Sequence, residues 1–169
     1  MHGTHRDAAA GGCENAELMP DRANVTQVKK ATLCLLNAER RSHGLGRLRS
    51  DGRLAEAARR FSAQMVSERF FDHVSPSGST LTDRVRATSY LRGRVRSWSL
   101  GENLAWGAGK RATPRSIVAA WMNSPGHRAN ILDKRFRHIG IGVVTGAPAD
   151  TRGQAAATYT TDFGFRARR

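Results

Sequence analysis

The sequence predicts a single layered domain of the α/β (α+β) class, in which helices flank a small sheet. Amphipathic helical patterns fill much of the chain before residue 132, and two alternating segments typical of strands occupy the last third. At 169 residues, the chain is the size of one domain and can bury a core without several disulfides or a metal. We divide it into an N-terminal arm over residues 1–24, expected to be partly disordered, and one domain over residues 25–169.

Three helices are predicted in the first half of the chain. Apolar residues at a 3.6-residue period predict the first helix, and Gly44 is well suited to end it. Asp51 is a good N-cap for the second helix. Thr80 and Asp83 resemble a capping box that opens a short third helix. The predicted helices cover residues 25–43, 52–68 and 80–85.

The second half of the chain predicts extended segments and short helices. Residues 98–106 alternate, with large apolar side chains on one side, and are therefore expected to be extended. A proline follows Thr113 and another follows Ser124. Proline at the first helical position predicts two short helices in succession, of which the second carries His127 and ends near Leu132. Strands are predicted over residues 138–145 and 156–165, with a hairpin loop over residues 146–153.

The composition is strongly basic, with a formal net charge of +14 from 28 Lys and Arg against 14 Asp and Glu. Such a field favours anionic partners, including nucleic acid, anionic lipid and cell-wall phosphate polymers. The alternative is an ordinary solvated surface, which the scatter of the arginines along the chain favours slightly. Because no nucleic-acid-binding module accompanies the basic residues, we expect no specific nucleic-acid partner. The sequence shows no apolar run long enough to span a membrane and no signal-peptide apolar region after Met1.

Glu102 is the first candidate for a functional residue. If residues 98–106 are extended, Glu102 shares a face with two tryptophans and two leucines, where an unpaired carboxylate is costly. It then needs a partner, and a histidine or a metal ion would serve. The alternative is a bend at Gly101 that turns Glu102 out to solvent. We favour the buried arrangement.

His73 and His127 are candidate partners for such a carboxylate. His127 falls near the start of a helix, where the neutral imidazole that binds metals is favoured. Considered separately, each histidine is more simply explained as a surface residue. The chain has neither the HExxH spacing of zinc proteases nor the GxSxG elbow of serine hydrolases. Ser75 and Ser124 are better explained as turn and cap residues than as nucleophiles.

The two cysteines, Cys13 and Cys34, match neither a CxxC redox pair nor a zinc-binding spacing. A disulfide between them would tie the arm to the first helix and stabilise the fold by on the order of 3 kcal/mol through loop closure. Two free thiols in a cytosolic protein are the alternative. The residues alone do not separate these two possibilities.

Six segments together resemble a bacterial CAP domain, the domain of cysteine-rich secretory, antigen 5 and pathogenesis-related proteins. The strings GENLA and SPGHRANIL in one chain are the most specific part of this resemblance, which covers residues 25–165. It implies an α-β-α sandwich with a central three-stranded antiparallel sheet, export from the cytoplasm, and a cleft lined by two His and two Glu. The six segments are LCLLNAERRSHGLGRL, FFDHVSPSGSTLTDRV, LGENLAWG, AAWMNSPGHRANILD, HIGIGVV and TTDFGF.

Carried over residue by residue, the resemblance implies that His73, Glu102 and His127 line the cleft and can bind a divalent metal ion weakly, with zinc as the best candidate. The second Glu of the family normally lies three residues after a tryptophan. Here Trp121 is followed by Met, Asn and Ser, so that carboxylate is missing. The resemblance also favours the disulfide over free thiols.

The function implied is that of a secreted or envelope-associated protein, expected to be a monomer. Its cleft would hold a divalent cation, a small ligand or a lipid, and its basic surface would hold anionic wall or membrane polymers. The alternative is a metal-dependent hydrolase, because two His and one Glu with an open position resemble a catalytic zinc shell. The missing carboxylate and the lack of a recognisable nucleophile make a non-enzymatic role the preferred hypothesis.

Overall fold

Helices lie on both faces of a sheet in the computed structural model, which describes residues 12–168. A short 3-10 turn, Gly109–Ala112, connects the strand Val95–Ala108 to the helix Pro114–Met122. The helices are α1 (Val25–Ser42), α2 (Gly52–Glu68), α3 (Leu81–Ala87), α4 (Pro114–Met122) and α5 (Pro125–Ile131). The strands are β1 (Arg49–Ser50), β2 (Val95–Ala108), β3 (His138–Thr145) and β4 (Ala156–Arg168).

The sheet has the strand order β1-β3-β4-β2. Strands β3, β4 and β2 pair antiparallel, and β1 pairs parallel with β3. The predicted class is therefore confirmed, whereas the predicted count of three strands is one too low. The additional strand, β1, comprises only Arg49 and Ser50, both exposed, and two residues are too few to show an alternating pattern.

Strand β3 explains how the two helical layers fit the sheet. Its large side chains at Ile139, Ile141 and Val143 join the core on the side of α1 and α4. Its other face presents Gly140 and Gly142 to α2. A Cβ atom at Gly140 would lie only 2.0 Å from a backbone carbon of α2, so helix and strand are in direct backbone contact. The predicted alternation of large apolar residues and glycines over residues 138–145 therefore lets helices pack on both faces of the sheet.

The predicted helix starts are confirmed by their caps. The Asp51 carboxylate accepts hydrogen bonds from two backbone N–H groups of the first turn of α2, at 2.8 and 3.2 Å. Thr80 and Asp83 form the reciprocal capping box of α3. Thr113 accepts from the N–H of Ser116 at the start of α4. Each cap satisfies donors that the first turn of a helix leaves without partners.

The segment that precedes α1 is joined to the domain. Cys13 and Cys34 form a disulfide, which confirms the predicted pairing. Ala16 is only 3% exposed, and its carbonyl accepts a hydrogen bond from the N–H of Arg115. Residues 1–11, on which part of the predicted arm falls, lie outside the described residues, as does residue 169, and the division at residue 24 stays a prediction. Among residues 12–168, no helix is long and apolar enough to cross a membrane.

Candidate functional site

Strand β2 places Glu102 inside the protein. The strand is continuous through Gly101, so no bend turns the carboxylate out, and the Glu102 side chain is only 2% exposed. Gly101 is required here, because a Cβ atom at this position would lie 2.8 Å from the Phe136 ring. Glu102 is thus buried, as the alternating pattern predicts.

Two side chains contact the carboxylate of Glu102. His73 Nδ1 donates to Oε1 at 2.9 Å, and Arg84 Nη2 lies 3.0 Å from Oε1 and 2.9 Å from Oε2. The Arg84 guanidinium lies 3.4 Å over the ring of Phe61 and donates to the carbonyls of His73 and Ser79 at 3.0 Å each. The predicted histidine partner is therefore present, and an arginine that the sequence did not indicate compensates the buried charge.

The electrostatics of His73 follow from this contact. The hydrogen bond to Glu102 raises the pKa of His73 above its ordinary value, against the opposing effect of partial burial. The side chain is 56% exposed, so the ring is fixed at Nδ1 yet reachable from solvent. Among the described residues, its Nε2 atom has no hydrogen-bond partner.

His127 lies in the first turn of α5 and bonds to a different partner. Its Nδ1 atom is 2.8 Å from the hydroxyl of Ser124. Burial and the nearby charge of His73 both lower the pKa of His127, which favours the neutral ring. Ser124 occupies the N-cap position, as predicted, but its side chain makes no capping hydrogen bond. It stands three residues after Trp121 and supplies a hydroxyl where a carboxylate was expected.

Two asparagines fix α5 against β2. Asn103 Nδ2 donates to the carbonyl of His127 at 3.0 Å. Asn130 Nδ2 donates to the carbonyl of Glu102 at 3.1 Å and to Asn103 Oδ1 at 2.9 Å. Sequence reasoning missed both residues, although they lie within the strings GENLA and SPGHRANIL. Their amides hold the backbone of His127 beside that of Glu102.

Residues 33–161 match the sequence profile of the Cysteine-rich secretory protein family, CAP. The chain belongs to the CAP family. It is 38% identical over 122 residues to YkwD of Bacillus subtilis (strain 168), covering 72% of this chain and 44% of that protein. It is 35% identical over 118 residues to the membrane protein YlbC of the same organism, covering 70% of this chain and 32% of that one. This CAP domain therefore spans less than half the length of these curated relatives.

Two solved structures share the fold of this CAP domain. An extracellular protein of Bacillus anthracis that contains an SCP domain superimposes with a TM-score of 0.63 at 28% identity, over 82% of this chain and 43% of that chain. An outer surface protein of Borrelia burgdorferi gives a TM-score of 0.66 at 21% identity, over 83% of this chain and 94% of that chain. The second likeness concerns the fold alone.

Asp162 is a second buried carboxyl group of the CAP domain that sequence reasoning missed. It lies opposite Glu102 on β4 and is fully buried. Burial raises its pKa well above the ordinary value, the charge of Glu102 raises it further, and Arg84 opposes both. The reasoning that singled out Glu102, an acid within a strand of buried residues, applies equally to Asp162 and would have found it.

The three residues predicted to bind a metal ion make different hydrogen bonds, and the metal site stays a prediction. The structure brings His73 and Glu102 into contact, whereas the hydrogen bond of His127 goes to Ser124. Within residues 12–168, no three His, Cys, Asp or Glu side chains are grouped so that they could hold a metal ion. Both oxygens of Glu102 already accept hydrogen bonds from Arg84. The atoms left for a ligand are Nε2 of His73 and Nε2 of His127.

Proposed function

We propose that this CAP domain acts outside the cytoplasm as a binding protein. A cleft beside His73 and His127, as the family resemblance implies, would hold a divalent cation, with zinc as the best candidate, or a small ligand or lipid. Its basic surface would hold anionic polymers or lipids. The main support is the way each imidazole is held: Nδ1 is bonded to Glu102 in one ring and to Ser124 in the other.

This arrangement is common among histidines that bind metals. Such a histidine usually donates its second ring N–H to a carboxylate or another acceptor, which fixes the ring and raises its basicity. We therefore assign Glu102 to the orientation of His73 rather than to direct coordination. Two imidazoles are fewer protein ligands than the three typical of a catalytic zinc site. Modest affinity is expected, with exchangeable ligands in the remaining positions.

Two observations support a location outside the cytoplasm. The similar Bacillus anthracis protein is extracellular. The disulfide between Cys13 and Cys34 fits an oxidising compartment, because cytosolic thiols are kept reduced.

A metal-dependent hydrolase is the second candidate. The Ser124 hydroxyl lies 2.8 Å from the His127 ring, and a hydroxyl beside an imidazole is a common arrangement for a nucleophile. The contact is made through Nδ1, however, and among the described residues Nε2 has no carboxylate partner that would orient the ring. A binding role therefore has the stronger support. Hydrolysis of ester substrates that stops with a chelator would favour the second candidate.

Zinc titration of the metal-free protein by calorimetry tests the proposal. We expect His73→Ala and His127→Ala each to abolish binding, because two ligands are the minimum here. Glu102→Gln should weaken binding about 10–100-fold, the usual effect of losing such an outer partner. His43→Ala is the control, since His43 is exposed at the end of α1. Zinc binding that depends equally on His43, or no binding by the unaltered protein, would contradict the proposal.

A further inference from the structure

Strands β2 and β4 continue beyond the rest of the sheet. Strand β3 begins opposite Gly164, so residues 165–168 of β4 pair only with the first residues of β2. Trp98 lies in this two-stranded extension and is 40% exposed. Within residues 12–168, this part of β4 therefore has no strand on its second edge.

A cavity of about 500 Å³ lies against this extension. Residues of β2 and β4 form one side of it, including Ser97, Ser99 and Phe165. The loop between α5 and β3 forms the other side and contributes Lys134 and Arg137. The volume is within the range of small-ligand sites. It combines aromatic surface, serine hydroxyls and positive charge.

The charge of this cavity is only partly compensated. Arg135 also lines it but forms an ion pair with Asp133 at 2.7 Å. Within residues 12–168, neither Lys134 nor Arg137 has an acidic partner. Arg137 instead donates to the carbonyls of Lys134 and Phe136, which positions its guanidinium. Two cations are therefore available to a ligand.

Contacts with buried side chains hold the loop that carries these cations in place. The buried Arg40 side chain donates to the carbonyls of Asp133 and Phe136, at 3.0 and 3.3 Å. Phe136 stacks on Phe163 with the ring centres 5.5 Å apart. Because the loop is held in place before a ligand arrives, little ordering is needed on binding.

We propose that this cavity binds an acidic saccharide, a sugar unit that carries a carboxylate. The planar guanidinium of Arg137 suits a carboxylate, and the ammonium of Lys134 adds a second charged hydrogen bond. The Phe165 ring, which lies on the same face of the extension as the side chains of Ser97 and Ser99, offers an apolar surface to a sugar ring. The serine hydroxyls can donate to and accept from sugar hydroxyls. This inference rests on the proposal that the basic surface binds anionic partners. It locates that binding at this cavity and names acidic saccharides as the ligand class.

The test uses a short oligogalacturonide and its neutral methyl ester in low salt. The acid should bind, and the ester should bind at least about tenfold more weakly, because it lacks the charged hydrogen bonds. Lys134→Gln with Arg137→Gln should weaken binding of the acid by at least about tenfold for the same reason. Lys110→Gln with Arg111→Gln removes the same charge from two exposed residues at the far end of β2, roughly 30 Å away, and should change binding less than about twofold.

The outcomes separate this inference from the proposed function. Equal losses in the two double variants would mean that the general positive field binds the acid, which overturns the cavity assignment and leaves the basic-surface proposal standing. No binding of the acid by the unaltered protein would overturn this inference and leave the basic surface to lipids or other anionic polymers. An oligothymidylate of equal charge that binds as tightly, with the same loss in the Lys134 and Arg137 variant, would assign the cavity to nucleic acid instead.

Fluorescence gives an independent reading from Trp98, one of three tryptophans in the chain. Binding of the oligogalacturonide should change the emission of the unaltered protein. Trp98→Phe should remove that change and retain binding measured by calorimetry, because Trp98 lines the cavity from a strand whose ligand-facing side chains are Ser97 and Ser99. An emission change that survives in Trp98→Phe would place the saccharide elsewhere and overturn the assignment.

Discussion

Arg84 and Glu102 form a charge pair with almost no contact with solvent. Their side chains are 9% and 2% exposed, and the guanidinium is further enclosed by the ring of Phe61. Removing one partner of such a pair leaves the other charge buried without compensation. The pair thus holds α3 against β2 and fixes the carboxylate that orients His73.

Replacement of Arg84 tests this role. Arg84→Met should lower the free energy of unfolding by about 3–5 kcal/mol, the usual cost of stranding a buried charge. Adding Glu102→Gln to that variant should restore part of the loss, because the stranded charge is then gone. Denaturant titration measures both. A loss below about 1 kcal/mol, or no recovery in the double variant, would show that the pair is not coupled in this way.

The buried carboxyl group of Asp162 predicts how the stability of the fold depends on pH. Because burial raises its pKa in the folded protein, the folded state holds a proton that the unfolded state has released above its ordinary pKa of about 3.9. Stability from this group is therefore present at low pH and declines as pH rises toward the folded-state pKa. Asp162→Asn stays neutral at every pH. Its stability relative to the unaltered protein should increase between pH 4 and pH 8, and a constant difference in denaturant titrations would contradict this.

At the scale of elements, the contact between α2 and β3 depends on the small residues of the strand. A Cβ atom at Gly142 would lie 2.3 Å from a backbone carbon of Ala58. Gly142→Ala should therefore destabilise the protein by about 1–3 kcal/mol through overpacking. Gly52→Ala, at the start of α2 with no atom within 4 Å of the added carbon, is the matched control. Comparable thermal shifts in the two variants would refute the close contact.

The elements that sequence reasoning predicted share a local signal. The Asp51 cap, the Thr80 capping box and the alternation of β3 are each encoded within a few residues. Strand β1 carries no such signal, because its pairing with β3 is a tertiary contact of two residues. Arg84 escaped notice for the same reason: nothing around it in sequence indicates that Glu102, eighteen positions later, is its partner.

At the scale of the whole molecule, part of the positive charge serves the fold. Arg40 is 1% exposed and donates to backbone carbonyls across the loop that precedes β3. Arg166 lies 4.2 Å over the ring of Tyr90 and pairs with Asp51 at 3.7 Å. A solvated surface, the slightly favoured explanation of the composition, therefore does not account for every arginine. Buried or paired arginines contribute little to long-range attraction, which leaves exposed cations such as Lys134 to bind anionic partners.

The central claim is that two imidazoles, each fixed at Nδ1, present Nε2 to one ion. The most direct measurement is a ¹⁵N NMR spectrum of the histidine rings during zinc addition to the metal-free protein. We expect the Nε2 signals of His73 and His127 to shift together at one equivalent of zinc, with the Nδ1 of His73 still protonated toward Glu102. A response from only one of these rings, or from neither, would contradict the claim.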